Sequence, residues 1–440
     1  MVFLIMEKII KMFASLGLDL VYFNDVATLT KFKSRFRVLH GIDYVFALLI
    51  NISNSVVSYN VLASSFLNNP TKSISKQALH SAMSKAAFVK FIEQIISDLL
   101  LQKLAVSKGN LGSRFKRVIV QDSTIIKLPK RLFDSFSGVK NGYVQVANAR
   151  LQFALNLLTN HLIHFSIDTY SVNDIAAKPL KVAKGDLLLR DRGYFSIQEI
   201  IRLIDAKVDF IYRYKHKIIY YDIQTGKPIN LLEILSKTNV TDILVKISSP
   251  NGPIVRLIGV PVCDNVANHR RTNLKRNSNS VPQKDLLALL SWSIFITSIK
   301  DSNINYEEIF KLYKLRWRIE ILFKALKSHL KLDKIHNVSK VQLEFIVLTK
   351  IMMIILILQF IYEPLYKPIK QMYGKQLSIL KTTNYLLNNK TELLDLLKKT
   401  KENLTDDSLI LKNFAKLCSY EKRQKRTNFN EDFEFLFSLS

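Results

Sequence analysis

The sequence predicts an α/β protein: a mixed-sheet domain interrupted by a β-rich insertion and flanked by helical regions at both ends. Three observations predict it. Short β-branched runs alternate with segments of helical spacing across residues 114–215. Residues 216–286 change to short strands separated by Gly and Pro turns. The two ends, 1–113 and 346–440, read as helical.

The opening run, "MVFLIMEKIIKMFASLG", reads as an amphipathic helix, because no basic stretch precedes its apolar residues as a signal peptide requires. "KFKSRFRVL" (31–39) interleaves bases with Phe32 and Phe36. "VLASSFLNNPTKSISKQALHSAMSK" (61–85) reads as a helix, an Asn-Asn-Pro break and a second helix capped by Ser73 or Ser75. This fits a helix-turn-helix offering Lys76, Gln77 and His80 to a DNA groove, and equally two short helices of a bundle.

The sheet begins with "RVIVQDSTIIKL" (117–128), a β-branched strand. Residues 148–174 offer two more strands around a turn at 159–161, and a helical segment over 174–183 follows, with Asp174 at its cap. "GDLLLRDRGYF" (185–195) is a buried-strand run ending in a polar turn at Gly193. "SIQEIIRLIDA" (196–206) has helical spacing, and "KVDFIYRYK" (207–215) alternates like a strand. Within the insertion, "NHRRTNLKRNSNS" (268–280) reads as a basic loop whose Arg270 and Arg271 contact DNA or simply face solvent. Residues 287–345 return to the core through "LALLSWSIFITSIK" and a helix, "LYKLRWRIEILFKALK" (312–327). The run "FIVLTKIMMIILILQFIY" (345–362) is interrupted by Lys350 and Gln359, which leaves eight apolar residues between them. A membrane span needs about 20, so a buried core helix is expected.

Hydrophobic residues make up 48% of the 440, enough for a large core in a chain of several domains. Lys and Arg total 64 against 36 acidic residues, and the net charge of +28 attracts polyanions, nucleic acid first. Cys263 and Cys418 lack the paired spacing of zinc fingers or disulfide scaffolds.

On a helix turning about 100° per residue, Tyr313, Arg316, Glu320 and Lys327 fall within about 60° of arc. Leu315, Ile319, Leu322 and Leu326 form a separate stripe. One face packs; the other presents a phenol, a guanidinium, a carboxylate and an ammonium. Alone, this is also what a solvated face with an Arg316–Glu320 pair looks like. Asp122 and Asp191 each follow a buried apolar strand, where a carboxylate must be paired, hydrogen-bonded or metal-bound. Each is also a plausible turn former. Two strand-end carboxylates and one on a helix can meet at a sheet edge and hold hard cations such as Mg²⁺ or Mn²⁺. His161 and His164, three apart on a strand, face opposite sides and read as ordinary turn and strand residues, and Asp168 is a candidate supporting acid.

The spacing Tyr-x2-Arg-x3-Glu-x6-Lys, met by Tyr313, Arg316, Glu320 and Lys327, resembles the YREK signature of bacterial DDE transposases of the IS-four insertion-sequence group. "QDST" with Asp122 and "DRGYF" with Asp191 resemble that family's two other acidic motifs, and the 129 positions from Asp191 to Glu320 leave room for its β-strand insertion. The resemblance implies an RNase H-like catalytic domain built from 114–215 and 287–345, a β-rich insertion at 216–286, DNA-binding helices in 1–113, and C-terminal helices at 346–440 that help pair two subunits.

It also implies site roles. Asp122, Asp191 and Glu320 would be the catalytic, metal-holding triad for two Mg²⁺ ions, with Mn²⁺ substituting. Tyr313, Arg316 and Lys327 would grip phosphates of the transposon end, and Trp292 would stack on a flipped base or, alternatively, fill the core. Lys76, Gln77, Arg270 and Arg271 are further candidate DNA contacts. The implied activity is cleavage at terminal inverted repeats and transfer into target DNA by a dimer, through a hairpin, in the bacterial cytoplasm at the nucleoid and without a membrane. A catalytically silent DNA-binding repressor and an RNase H-like nuclease are the alternatives.

Overall fold

A computed structural model of the protein describes residues 2–54, 56–67, 71–101, 114–138, 145–176, 179–278, 280–300, 304–399 and 401–421. The Asn-Asn-Pro break at 68–70 and most of the basic stretch at 419–429 lie outside them.

In chain order, the first region holds helices α1 (Val2–Ser15), α2 (Leu20–Leu29), α3 (Gly41–Ile50), α4 (Tyr59–Ser64), α5 (Lys76–Met83) and α6 (Ala86–Leu101). The sheet region holds strands β1 (Arg117–Leu128), β2 (Ala147–Asn156), β3 (His161–Thr169) and β4 (Asp186–Arg190), then helix α7 (Ile197–Asp205) and β5 (Asp209–Arg213). The insertion carries β6 (Tyr220–Tyr221), α8 (Leu231–Lys237), β7 (Thr241–Ile247), β8 (Ile254–Pro261), α9 (Asp264–Asn277) and α10 (Lys284–Leu289). After β9 (Trp292–Thr297) come α11 (Tyr306–Lys314), α12 (Trp317–Ser328) and α13 (Lys340–Ile357). A π-turn at Leu358–Tyr362 leads into α14 (Glu363–Tyr373), α15 (Ile379–Asn388), α16 (Lys390–Lys398), α17 (Lys401–Asp406) and α18 (Ser408–Leu417).

The nine strands form one mixed sheet in the order β3-β2-β1-β4-β5-β9-β8-β7-β6. β1, β4 and β5 run parallel, whereas β2–β3, β5–β9, β9–β8, β8–β7 and β7–β6 pair antiparallel. Parallel strands sit in the middle of a sheet and need apolar side chains on both faces. Leu187, Leu188 and Leu189 of β4 satisfy this, each with no exposed surface. Burying each such side chain is worth about 2 kcal/mol.

The chain clusters into two compact units. The first comprises Met1–Gly109, Ser123–Val172 and Arg318–Asn428, and so gathers both helical ends of the chain with the β2–β3 hairpin. Its core includes α3, nine of whose ten residues are buried. Gly41 lets α3 approach α2, since a Cβ there would meet the Phe23 carbonyl oxygen at 2.5 Å. The long α13 is apolar enough to cross a bilayer but is buried within the protein, as the polar interruptions at Lys350 and Gln359 led us to expect. The second unit holds Asn110–Asp122 and Asn173–Trp317, hence the first half of β1, then β4 to β9 and α7 to α11.

Three local expectations differ from the structure. The basic loop at 268–280 is largely the helix α9, whose Asp264 in the first turn and Lys275 and Arg276 in the last complement its dipole. Among the described residues of 174–183 there are turns in place of a helix. There the Asn173 side-chain oxygen accepts from the backbone amides of Ile175 and Ala176, an Asx turn that spends the local hydrogen bonds. Finally, 312–327 is not one helix: α11 ends at Lys314, Leu315 and Arg316 form a turn, and α12 begins at Trp317.

Candidate active site

β1 and β4 are aligned so that Gln121 pairs with Arg190. Asp122 and Asp191 are the next residues on the two parallel neighbours, which lie about 4.8 Å apart. Side chains pin the alignment as well. The Arg190 Nε donates to Gln121 Oε1 at 2.7 Å, and its Nη1 donates to Glu199 on α7. Both Gln121 and Arg190 are buried, at 1% and 3% exposure. Past Arg190 the chain turns at once into a single 3₁₀ turn, Arg192–Tyr194, with Asp191 in extended backbone just before it. A Cβ at Gly193 would meet the Asp174 carboxylate at 2.8 Å, so a larger residue there would push that side chain aside. The register therefore leaves both aspartates half-buried just past the last paired residues of β1 and β4. Asp191 follows the end of β4, whereas Asp122 lies in mid-strand, because β1 continues to Leu128 after its pairing with β4 stops, and not at a strand end as expected.

Arg316 reaches this corner from the turn after α11. Its Nη1 donates to Asp122 Oδ2 at 2.9 Å, with both side chains largely buried. Tyr313, on the last turn of α11, is 6% exposed and packs edge-on against Phe295 of β9. The Arg213 and Arg316 guanidiniums lie 5.8 and 5.9 Å from its ring centre. Its buried hydroxyl has no hydrogen-bond partner within ordinary distance among the described residues. Burial pushes the phenol up to about 12, Asp191 adds to the rise, and the two arginines oppose it.

Glu320 and Lys327 belong to the other unit, on α12. Seven residues apart, they sit two turns from each other on one helix face. Glu320 is half-buried in the first turn. Lys327 Nζ donates to the Ile125 carbonyl of β1 at 3.2 Å. Two buried cations fix this helix. Arg318, 2% exposed, donates to Asn160 Oδ1 at 2.8 Å, and that asparagine sits at the β2–β3 turn with φ of 54°. Lys350 of α13 donates to the Leu330 carbonyl just beyond α12 and, at 3.2 Å, to the Ile52 carbonyl just beyond α3. Sequence reasoning missed Gln121, Arg190, Arg318 and, as a clamp, Lys350. Arg318 and Lys350 carried one signal, a charge inside an apolar run, which must find buried partners.

Trp292 begins β9 and is half-buried on the wall of a cavity of about 500 Å³ that Arg192, Arg213, Arg270 and His216 also line. Arg270 is held over it by bonds to the Trp292 carbonyl at 3.0 Å and to Ser293 Oγ at 2.9 Å. Burial and then the charge of Arg213 lower the pKa of Arg270, the mark of cations gathered without an acid between them. Arg271 is turned instead to the Leu287 carbonyl and Ser291 Oγ. Lys76, Gln77 and His80 lie exposed on α5, whose first turn is capped by Ser75. His161 opens β3, and Asp168 accepts from Ser166 within the same strand.

The donors at the corner are carboxylate oxygens, which suit a hard divalent cation rather than zinc or copper. Among the described residues, no three His, Cys, Asp or Glu side chains gather closely enough to hold an ion. Asp122 is engaged by Arg316 instead.

Comparison with known proteins places the chain in a family. Residues 113–356 match the family described as "Transposase DDE domain". The chain is 28% identical over 367 residues to the transposase for insertion sequence element IS1151 of Clostridium perfringens, spanning 74% of each chain. It is 24% identical over 359 residues to that for IS231F of Bacillus thuringiensis subsp. israelensis, spanning 73% of each. A solved piggyBac transposase synaptic complex with hairpin DNA aligns over 98% of this chain and 87% of that one, with a TM-score of 0.44 and 11% identity. The family match takes in more than half of the 440 residues, including β1 with Asp122, the β4 end with Asp191 and the whole of α12, so the chain belongs to the transposase DDE-domain family.

Proposed function

We propose that this transposase binds the terminal inverted repeats of an insertion sequence and performs strand cleavage and strand transfer at one site, with Asp122, Asp191 and Glu320 as its carboxylates. One observation carries the reading: Asp122 and Asp191 each follow directly on the last pair, Gln121–Arg190, of the neighbouring parallel strands β1 and β4. Bound there, two Mg²⁺ ions, or Mn²⁺ in their place, would supply Lewis-acid charge at the oxygens that attack and leave the phosphorus.

The chain's own residues do the rest. Arg316 clamps a phosphate near the cut with its planar fork, and Lys327 adds a point charge to a second phosphate. The unpartnered Tyr313 hydroxyl donates to a phosphate oxygen. Trp292 offers an aromatic face to an extruded base, and Arg270 beside it attracts that nucleotide's charge. Arg271, Lys76 and Gln77 contact DNA farther from the cut. Water cleaves one strand at the element's end. The freed 3′-hydroxyl attacks the opposite strand to give a hairpin, and after reopening it attacks target DNA. Two subunits pair the two ends, in the bacterial cytoplasm at the nucleoid.

The test is an end-cleavage assay with a labelled duplex carrying the inverted repeat that borders the gene, in Mg²⁺. Wild type should nick it, and D191N and E320Q should bind it without nicking. Nicking by E320Q overturns the site. Binding by wild type with no nicking favours a repressor, and nicking without transfer to target DNA favours a nuclease.

A further inference from the structure

The geometry points to Arg316 as a gate: without DNA it occupies Asp122, and it yields that carboxylate to a divalent ion only when a DNA phosphate takes its place. This rests on the site reading above and adds an order of events to it. The Arg316 guanidinium donates to Asp122 Oδ2 at 2.9 Å, bridging 194 positions of sequence. The side chains are only 16% and 18% exposed, so water screens the pair weakly. A lone pair engaged by a guanidinium is less available to a metal ion, and a positive charge held this close repels a second one.

The position of Arg316 suits an exchange. It lies in the two-residue turn between α11 and α12, outside either helix, so its side chain is not committed to a helical face. Its guanidinium already lies 5.9 Å from the Tyr313 ring, an aromatic face it can rest on as it moves. Tyr313 presents the unpartnered hydroxyl at the same place, a donor with no acceptor until an anion arrives. A phosphate offers both residues what Asp122 offers one of them: Arg316 gains a bidentate partner and Tyr313 gains a first one. Asp122 is then released. The coupling is reciprocal, so DNA tightens metal binding and metal tightens DNA binding by the same factor. Such a device withholds the cutting chemistry from a protein that has not yet found an end.

The experiment measures Mn²⁺ binding to the full chain by titration calorimetry and by loss of the free-ion EPR signal. Wild type, R316Q and D122N are compared, each with and without the uncut inverted-repeat duplex, after subtracting binding to the duplex alone. R316Q should bind Mn²⁺ about fivefold or more tightly than wild type in the absence of DNA. Adding duplex should tighten wild type markedly and R316Q little. Equal or weaker Mn²⁺ binding by DNA-free R316Q overturns the gate while leaving the site reading intact. D122N binding Mn²⁺ as wild type does removes Asp122 from the metal site, and both readings fall. Should R316Q not fold, wild type alone decides, because a duplex that leaves its Mn²⁺ affinity unchanged also overturns the gate.

Discussion

The buried guanidinium of Arg190 donates to the side-chain carbonyl of Gln121 at 2.7 Å, one residue before each of the aspartates Asp122 and Asp191. The bond ties β4 to β1 through side chains as well as backbone. It fixes the spacing of Asp122 and Asp191 without using either. Removing Arg190 leaves the buried Gln121 side-chain carbonyl without its donor, while Glu199 keeps its two bonds from Arg202, a change that costs about 1–2 kcal/mol. R190M should therefore lower the urea midpoint clearly. Its remaining folded fraction should also cleave more slowly than wild type. A midpoint equal to wild type would show that the pin is dispensable.

Tyr313 should trade stability against function. Its hydroxyl is buried and unpartnered, so Y313F removes an uncompensated polar atom. The variant should be as stable as wild type or more so, by up to about 1 kcal/mol. End cleavage should nonetheless fall at least tenfold if the hydroxyl donates to phosphate. Equal cleavage by Y313F at saturating DNA would remove that role.

Lys327 should show itself through salt. A protein that neutralises one phosphate fewer has a slope of log affinity against log salt that is shallower by about 0.9. K327A should bind all duplexes more weakly and with its slope reduced by that amount. It also gives up its bond to the Ile125 carbonyl, so a melt must show that α12 remains folded.

Lys350 gives a pH signature. Burial lowers its pKa from 10.5 to about 8 in the folded protein. Below pH 8 both states carry the proton, and the folded state bears the full cost of a buried charge. Between pH 8 and 10.5 the folded state has released the proton while the unfolded state keeps it, so stability from this group rises with pH. Measured as the difference between wild type and K350M, the rise should approach ~3 kcal/mol. A flat difference across that window would mean that the ammonium is not buried as described.

Much of the fold is written in local pattern. β1 and β4 are readable from the short apolar runs in "RVIVQDSTIIKL" and "GDLLLRDRGYF", α7 from the helical spacing of "SIQEIIRLIDA" and β5 from the alternation in "KVDFIYRYK". Asp122 and Asp191 stand out as charges directly after apolar runs, but only Asp191 follows a strand's end; β1 continues past Asp122 to Leu128. The Gln121–Arg190 bond is invisible in sequence because it joins residues 69 apart whose pairing only the sheet register decides. The break at Leu315 and Arg316 escapes because neither residue disfavours a helix; the chain turns there for tertiary reasons. α9 reads as a loop because its polar composition hides any apolar stripe, Ala267 being its one buried residue. Arg270 and Arg271 show the limit plainly: a basic run announces cations, but which of them face a cavity and which fold back onto carbonyls depends on neighbours some twenty residues away.

The antiparallel partnership of β8 with β9 makes the inserted segment more than a passenger. A trimmed protein lacking 216–286 would leave β9 with an unsatisfied row of amides and carbonyls along one flank, a template for sticking to its own copies. The segment is thus a bumper for the sheet, and shortening it to simplify the enzyme should yield inclusion bodies before it yields a smaller transposase.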